Sequence, residues 1–201
     1  MTTQNATIRR RTKETDISLS LAFEPGPIEV DTGIGFFNHM LTILAFHAGW
    51  SLSVTCKGDL DVDDHHSVED TAIALGMAFA KFAPSGAGLV RFGAAYAPMD
   101  EALARVVVDI SGRSYSVFEG SFATASIGML STCNIEHFFQ SFAANAGLTL
   151  HLDILRGEND HHRAEALFKA AALALRMALQ PRAGAEGGST KGEAAIDVER
   201  T

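Results

Sequence analysis

The chain carries one six-residue pattern twice, as Asp64-His65-His66-Ser67-Val68-Glu69 and again 96 residues later as Asp160-His161-His162-Arg163-Ala164-Glu165. Each copy reads D-H-H-x-x-E, and together they hold four of the eight histidines. The likeness extends upstream, where Gly35-Phe36-Phe37-Asn38-His39-Met40-Leu41 answers Asn134-Ile135-Glu136-His137-Phe138-Phe139. His39 lies 26 residues before His65, and His137 lies 24 before His161. Setting His39 on His137 also aligns Gly49 with Gly147, Trp50 with Leu148 and Leu52 with Leu150. A period of about half the chain means a duplicated unit and excludes a solenoid. The halves are read as 1–93 and 94–181, forming one catalytic domain, with a tail at 182–201 rich in Gly, Ala, Ser and charge.

Hydropathy patterning gives both halves the same plan. Ile17, Leu19, Leu21 and Phe23 alternate with Ser18, Ser20 and Ala22, and Trp50, Leu52, Val54 and Cys56 alternate again, which marks strands. Further strands are expected over 103–110, 114–118 and 148–152. Helical spacing covers 35–47, through Phe36, Met40, Ile43, Leu44 and His47, and also 65–82, 136–145 and 165–179. Glu24-Pro25-Gly26-Pro27 reads as a turn, while Pro84-Ser85-Gly86 and Pro181 end helices. The expected fold class is α+β: an internally duplicated unit, each half a mostly antiparallel sheet with helices packed on one face.

A formal net charge of −8 argues against a general nucleic-acid or anionic-membrane surface. No run reaches the length of a membrane span, and no apolar stretch follows Arg9-Arg10-Arg11, so neither a span nor a signal peptide is expected. Cys56 and Cys133 are too few for a disulfide framework, which fits free thiols in a reducing cytoplasm, with Cys133 read as a small buried hydrophobe.

Imidazole and carboxylate together suit a borderline or hard divalent metal. On a helix, residues three or four apart share a face, while neighbours diverge by about 100°. Glu69 can therefore sit beside His65 or His66, but the two adjacent histidines point apart and call for two separate sites. Adding His39 and His137 makes six histidines and two carboxylates, or three His and one Glu per metal for two metals. Four protein ligands on an octahedral ion leave two positions open for substrate or water. The order is neither H-E-x-x-H of zinc peptidases nor E-x-x-H of di-iron bundles. His47 and His151, each isolated, read more simply as solvated or hydrogen-bonded side chains.

At these residues the chain resembles the imidazoleglycerol-phosphate dehydratase family. Further marks are Arg11-Thr12-Lys13-Glu14-Thr15, Thr32-Gly33-Ile34-Gly35-Phe36, Arg91-Phe92-Gly93, Pro98-Met99-Asp100-Glu101-Ala102-Leu103 and Ser111-Gly112-Arg113. To these add Asn159 before the second motif, Phe168-Lys169-Ala170 and Ser189-Thr190-Lys191-Gly192, so that the resemblance spans nearly the whole chain. Two departures stand out: Asn38, where the family usually carries Asp before the histidine, and the stretch 121–132, which matches poorly. Asn38 is expected to orient an imidazole through its side-chain oxygen without adding charge.

The resemblance implies dehydration of D-erythro-imidazole glycerol phosphate to imidazole acetol phosphate in histidine biosynthesis. It implies two manganese ions per site, an imidazolate held between them, no organic cofactor, and a homo-oligomer of twenty-four subunits with sites at subunit interfaces. Position by position, it makes His39, His65, His66, Glu69, His137, His161, His162 and Glu165 the metal ligands. It places substrate contacts at Glu14, His47, Arg91, Arg113, Lys169, Ser189 and Lys191. Glu14 is the candidate acid/base, and the cationic side chains suit a phosphate. It also makes the segment around Ser189 and Lys191 a lid over bound phosphate. Two other readings stay open, a metal-dependent hydrolase and a non-enzymatic scaffold whose histidines hold subunits together.

Overall fold

A computed structural model describes residues 5–83 and 88–182. The chain begins with strands β1 (Ala6–Arg11), β2 (Thr15–Ala22) and β3 (Ile28–Asp31), followed by helix α1 (Gly35–Ala48), strand β4 (Ser51–Gly58) and helix α2 (His65–Phe82). The second half repeats the order with β5 (Phe92–Met99), β6 (Ala102–Asp109) and β7 (Tyr115–Glu119). A short hairpin of β8 (Ser126–Ile127) and β9 (Leu130–Ser131) then intervenes before α3 (Cys133–Ala146), β10 (Thr149–Arg156) and α4 (Asp160–Ala178).

Both sheets have one topology. Their orders are β1-β2-β4-β3 and β5-β6-β10-β7, each with two antiparallel pairings and one parallel pairing at the β3 or β7 edge. The expected duplicated α+β unit is the fold. Alternation sends Ile17, Leu19 and Leu21 of β2 and Leu52, Val54 and Cys56 of β4 inward, as period-2 patterning requires. Helices α1 and α2 pack on the first sheet and α3 and α4 on the second. The two helix layers then meet, α1 against α4 and α2 against α3.

Phenyl rings join all four helices at that meeting plane. Phe37 of α1 lies 5.5 Å from Phe138 of α3, Phe139 lies 4.8 Å from Phe168 of α4, and Phe142 lies 5.7 Å from Phe79 of α2. All six of these side chains are fully buried. Aromatic pairs at such separations add about 0.5–1.5 kcal/mol each beyond their buried area. The aligned glycines Gly49 and Gly147 close α1 and α3 in the left-handed region, at φ 74° and 69°, which only glycine adopts without strain.

Several boundaries differ from the sequence reading. Helix α3 starts at Cys133 and α4 at Asp160, both earlier than expected, because their first residues carry no hydrophobic period. Strand β1 is an arginine-rich edge, β3 alternates over only four residues, and β5 turns Phe92 and Tyr96 to solvent, so none stands out as a strand in the sequence. Cys133 is exposed at the first turn of α3, and not the buried hydrophobe expected. Cys56 is buried, and burial pushes its thiol pKa up. The Pro84-Ser85-Gly86 stop, the tail from 183 onward, Ser189 and Lys191 lie outside the described residues.

Helix α2 approaches α3 most closely at Gly76, where an added methyl carbon would meet Phe142 O at 2.8 Å and Asn145 Cβ at 2.7 Å. Gly76→Ala is expected to destabilise the chelated protein by about 1–3 kcal/mol, read as a lowered denaturant midpoint with unchanged slope.

Candidate metal-binding active site

Both copies of the motif open a helix, and both are built alike. Asp63 Oδ1 accepts the His65 backbone N–H at 2.8 Å, and Asn159 Oδ1 accepts that of His161 at 2.9 Å. The motif aspartates are not ligands but anchors. Asp64 accepts the Ser131 N–H and hydroxyl at 2.6 and 2.8 Å. Asp160 accepts the N–H groups of Ala123 and Thr124 at 3.1 and 2.7 Å and the Thr124 hydroxyl at 2.8 Å. The two motifs thus fasten the same stretch, 121–132.

The ligand side chains gather into two clusters, each drawn from both halves. One holds His39 of α1 with His161 and Glu165 of α4; the other holds His65 and Glu69 of α2 with His137 of α3. In the first, Glu165 Oε2 lies 3.5 Å from His39 Nε2 and 3.3 Å from His161 Nε2. In the second, Glu69 Oε2 lies 3.6 Å from His65 Nε2, and Oε1 lies 3.3 Å from His137 Nε2. The Nε2 atom of His137 is buried and makes no hydrogen bond. A lone-pair nitrogen facing a carboxylate oxygen across such a gap is satisfied by a cation between them. The donor set, two imidazoles and one carboxylate per cluster, fits a divalent metal.

His66 and His162 join neither cluster. Their rings stand at 76° and 84° to those of His65 and His161, the divergence that helical geometry dictates for neighbours. Each is held by a carboxylate at Nδ1: Asp59 at 3.0 Å for His66 and Glu101 at 2.7 Å for His162. A carboxylate there fixes the tautomer and leaves Nε2 free to act as a ligand. These bonds hold both imidazoles above the usual histidine pKa. Glu101 is pulled down to about 2 by the Asn159 N–H, His162 and the Glu158 N–H. Glu14 Oε1 lies 3.8 Å from His66 Nε2, and Asp100 Oδ2 stands at the same distance from His162 Nε2.

The remaining expected residues divide by position. Lys169 reaches Glu165 Oε1 at 2.6 Å, beside the first cluster. Burial opposes ionisation of Glu165, but Lys169 and His39 outweigh it and hold its carboxyl below the usual value. His47 sits in the field of Lys169, Glu165 and Arg176, and burial and Lys169 lower its pKa. Arg91 is elsewhere: its guanidinium grips Asp109 at 2.6 and 3.0 Å, and its backbone N–H bonds Ala178 at the far end of α4, about 20 Å along the helix from Glu165. Arg113 is exposed in the loop before β7, near the Gly147 end of α3 and not the His137 end. His151 is exposed on β10, away from both clusters.

Asn38 does not orient an imidazole. Its Oδ1 accepts the Thr32 N–H at 2.9 Å and the Thr32 hydroxyl at 2.5 Å, tying the segment before α1 to its first turn. The residue that does hold an imidazole is Asn134, whose Oδ1 lies 3.2 Å from His65 Nδ1. Sequence reasoning missed Asn134, Asp59 and the role of Glu101. Asn134 lies one helical turn before His137, but its partner is His65, 69 residues away, so local spacing held no signal for it.

Fold and site together define a duplicated α+β protein with two pseudo-symmetric candidate metal clusters. The family model for imidazoleglycerol-phosphate dehydratase matches residues 32–175. The enzyme of that name from Salinibacter ruber is 53% identical over 191 residues, covering 94% of this chain and 95% of its own. That of Saccharomyces cerevisiae is 45% identical, covering 96% and 99%. The Staphylococcus aureus crystal structure superposes with a TM-score of 0.82 at 41% identity, over 89% of this chain and all of that one. The Pyrococcus furiosus structure gives 0.79 at 37% identity, over 92% and 99%. The chain belongs to the imidazoleglycerol-phosphate dehydratase family, hydro-lyases of histidine biosynthesis.

His39→Ala and His137→Ala are each expected to remove one of two bound divalent ions per chain, and the double variant both, as counted by elemental analysis after gel filtration.

Proposed function

We propose that the chain dehydrates D-erythro-imidazole glycerol phosphate to imidazole acetol phosphate in the cytoplasm, using two manganese ions per active site. The observation that carries this reading is the pair of clusters, each joining a histidine from one half to a histidine and a glutamate from the other. No helix among the described residues is long and apolar enough to cross a membrane, which agrees with a water-borne phosphorylated substrate. The halves, 1–93 and 94–181, act as one catalytic domain.

His66 and His162, turned away from their own chain's clusters with Nε2 free for a ligand, serve as fourth ligands to clusters of neighbouring chains. Arg91 and Arg113, remote from the clusters of their own chain, reach the substrate phosphate in the same way. Sites therefore form between subunits, in an assembly of twenty-four. Lys169 and His47, beside the Glu165 cluster, complete the substrate surface with Ser189 and Lys191.

Bound divalent ions supply Lewis-acid stabilisation of a deprotonated imidazole ring and a template that fixes its position. With its N–H proton gone, the ring pushes electrons outward and the adjacent carbon–oxygen bond breaks, releasing hydroxide that leaves as water. Loss of a proton from the next carbon of the glycerol chain restores the aromatic ring and gives an enol, which tautomerises to the ketone. Glu14 carries that proton in this reading, which its position half exposed and 3.8 Å from His66 Nε2 supports.

Chelated protein is expected to lose turnover of imidazole glycerol phosphate and to regain it with manganese more fully than with zinc. Release of phosphate without dehydration would instead favour a hydrolase. Glu14→Gln is expected to lower kcat by about 10²-fold or more, and full turnover would remove it from the mechanism. Mixing His66→Ala chains with His39→Ala chains, each inactive, is expected to restore part of the activity; none would return if sites lay within single chains.

A further inference from the structure

The two clusters share ligand types but not surroundings. Both oxygens of Glu69 face histidines, Oε2 toward His65 and Oε1 toward His137, and no cation pairs with it among the described residues. Glu165 turns only Oε2 to its histidines, since Oε1 holds the Lys169 ammonium at 2.6 Å. One helical turn after Glu69, the position matching Lys169 is Ile73. The Glu69 cluster therefore presents a full negative charge, and the Glu165 cluster a charge already neutralised.

Pre-organisation points the same way. His65 is fixed through Nδ1 by Asn134 at 3.2 Å, which presents Nε2 to an ion. In the repeat register Asn134 corresponds to Phe36, which packs edge-on against His161 at 4.8 Å and offers no acceptor. His137 Nε2 is already stripped of water and has no hydrogen bond to give up.

We propose that the two metal positions are unequal, that the His65/Glu69/His137 cluster fills first, and that Lys169 is the residue that weakens the other. The inference rests on reading the clusters as metal sites. A unit positive charge a few ångströms from an incoming divalent ion at a partly exposed site opposes binding by roughly tenfold or more.

The test is a titration of the chelated full-length protein with manganese alone, following free ion by electron paramagnetic resonance. Two phases separated by about tenfold or more are expected, with Glu69→Gln removing the tighter and Glu165→Gln the weaker. Lys169→Gln should draw the phases together by strengthening the weak one. Ile73→Lys, which places an ammonium one turn from Glu69, should weaken the tight one. Equal affinities in the parent protein, or loss of the tight phase in Glu165→Gln, overturns the inference while leaving both clusters as metal sites. Absence of bound manganese overturns that underlying reading as well.

Discussion

The contact between the two helix layers is the constraint on which the site depends. Neither half assembles a cluster alone: α4 needs His39 from α1, and α2 needs His137 from α3. The pairings that bring these histidines over, α1 on α4 and α2 on α3, are tied together by the phenyl seam, whose contacts run from α3 to α1, α4 and α2. Close-packed interiors do not slide by small amounts, so the seam fixes ligand separations to within the tolerance a metal demands. Burial of aromatic surface and placement of imidazoles are one event in this fold.

The second organising element is the use of carboxylates to hold parts of the site in place. Asp64 and Asp160 accept bonds from both ends of the 121–132 stretch, so a segment with little regular structure is pinned to the N-termini of α2 and α4. Asp59 and Glu101 occupy Nδ1 of His66 and His162, which aims the remaining nitrogen away from the home cluster. An imidazole so oriented is an incomplete site in search of a second surface, and helical geometry makes it unavoidable that one of two adjacent histidines is in that position. The D-H-H-x-x-E order thus lends itself to sharing between chains in a way that an H-E-x-x-H helix, with both histidines on one face, does not.

Much of this was legible in the residues. The duplication, the four helices and the central strands followed from repeat register and periodicity, because buried faces impose a period that sequence displays. The division of ligands into two clusters followed from the angle between neighbours on a helix. What escaped had no period. Edge strands β1 and β5 meet solvent on one side and carry Arg9, Arg11, Phe92 and Tyr96 where alternation would be read. Asn38 was misassigned because proximity in sequence to His39 does not decide where a short amide turns; its oxygen accepts the N–H and hydroxyl of Thr32 instead. Asn134 and Glu101 reach their histidines across 69 and 61 residues, a relation set by the sandwich and not by local spacing.

Duplication explains why the clusters look alike, and packing explains why they differ. Ligands recur because the same helix ends meet in both halves. Their neighbours are not bound by that rule: the residue one turn beyond each glutamate is Ile73 in one half and Lys169 in the other. The isoleucine is partly buried and carries no charge, whereas the lysine extends along the helix and pairs with its own glutamate. A phosphate-bearing substrate would draw on that ammonium, so the cation proposed to weaken one metal position is also the one available to a ligand anion. On the proposed assignment, asymmetry in a duplicated centre would give one cluster to holding metal and the other to trading charge with substrate.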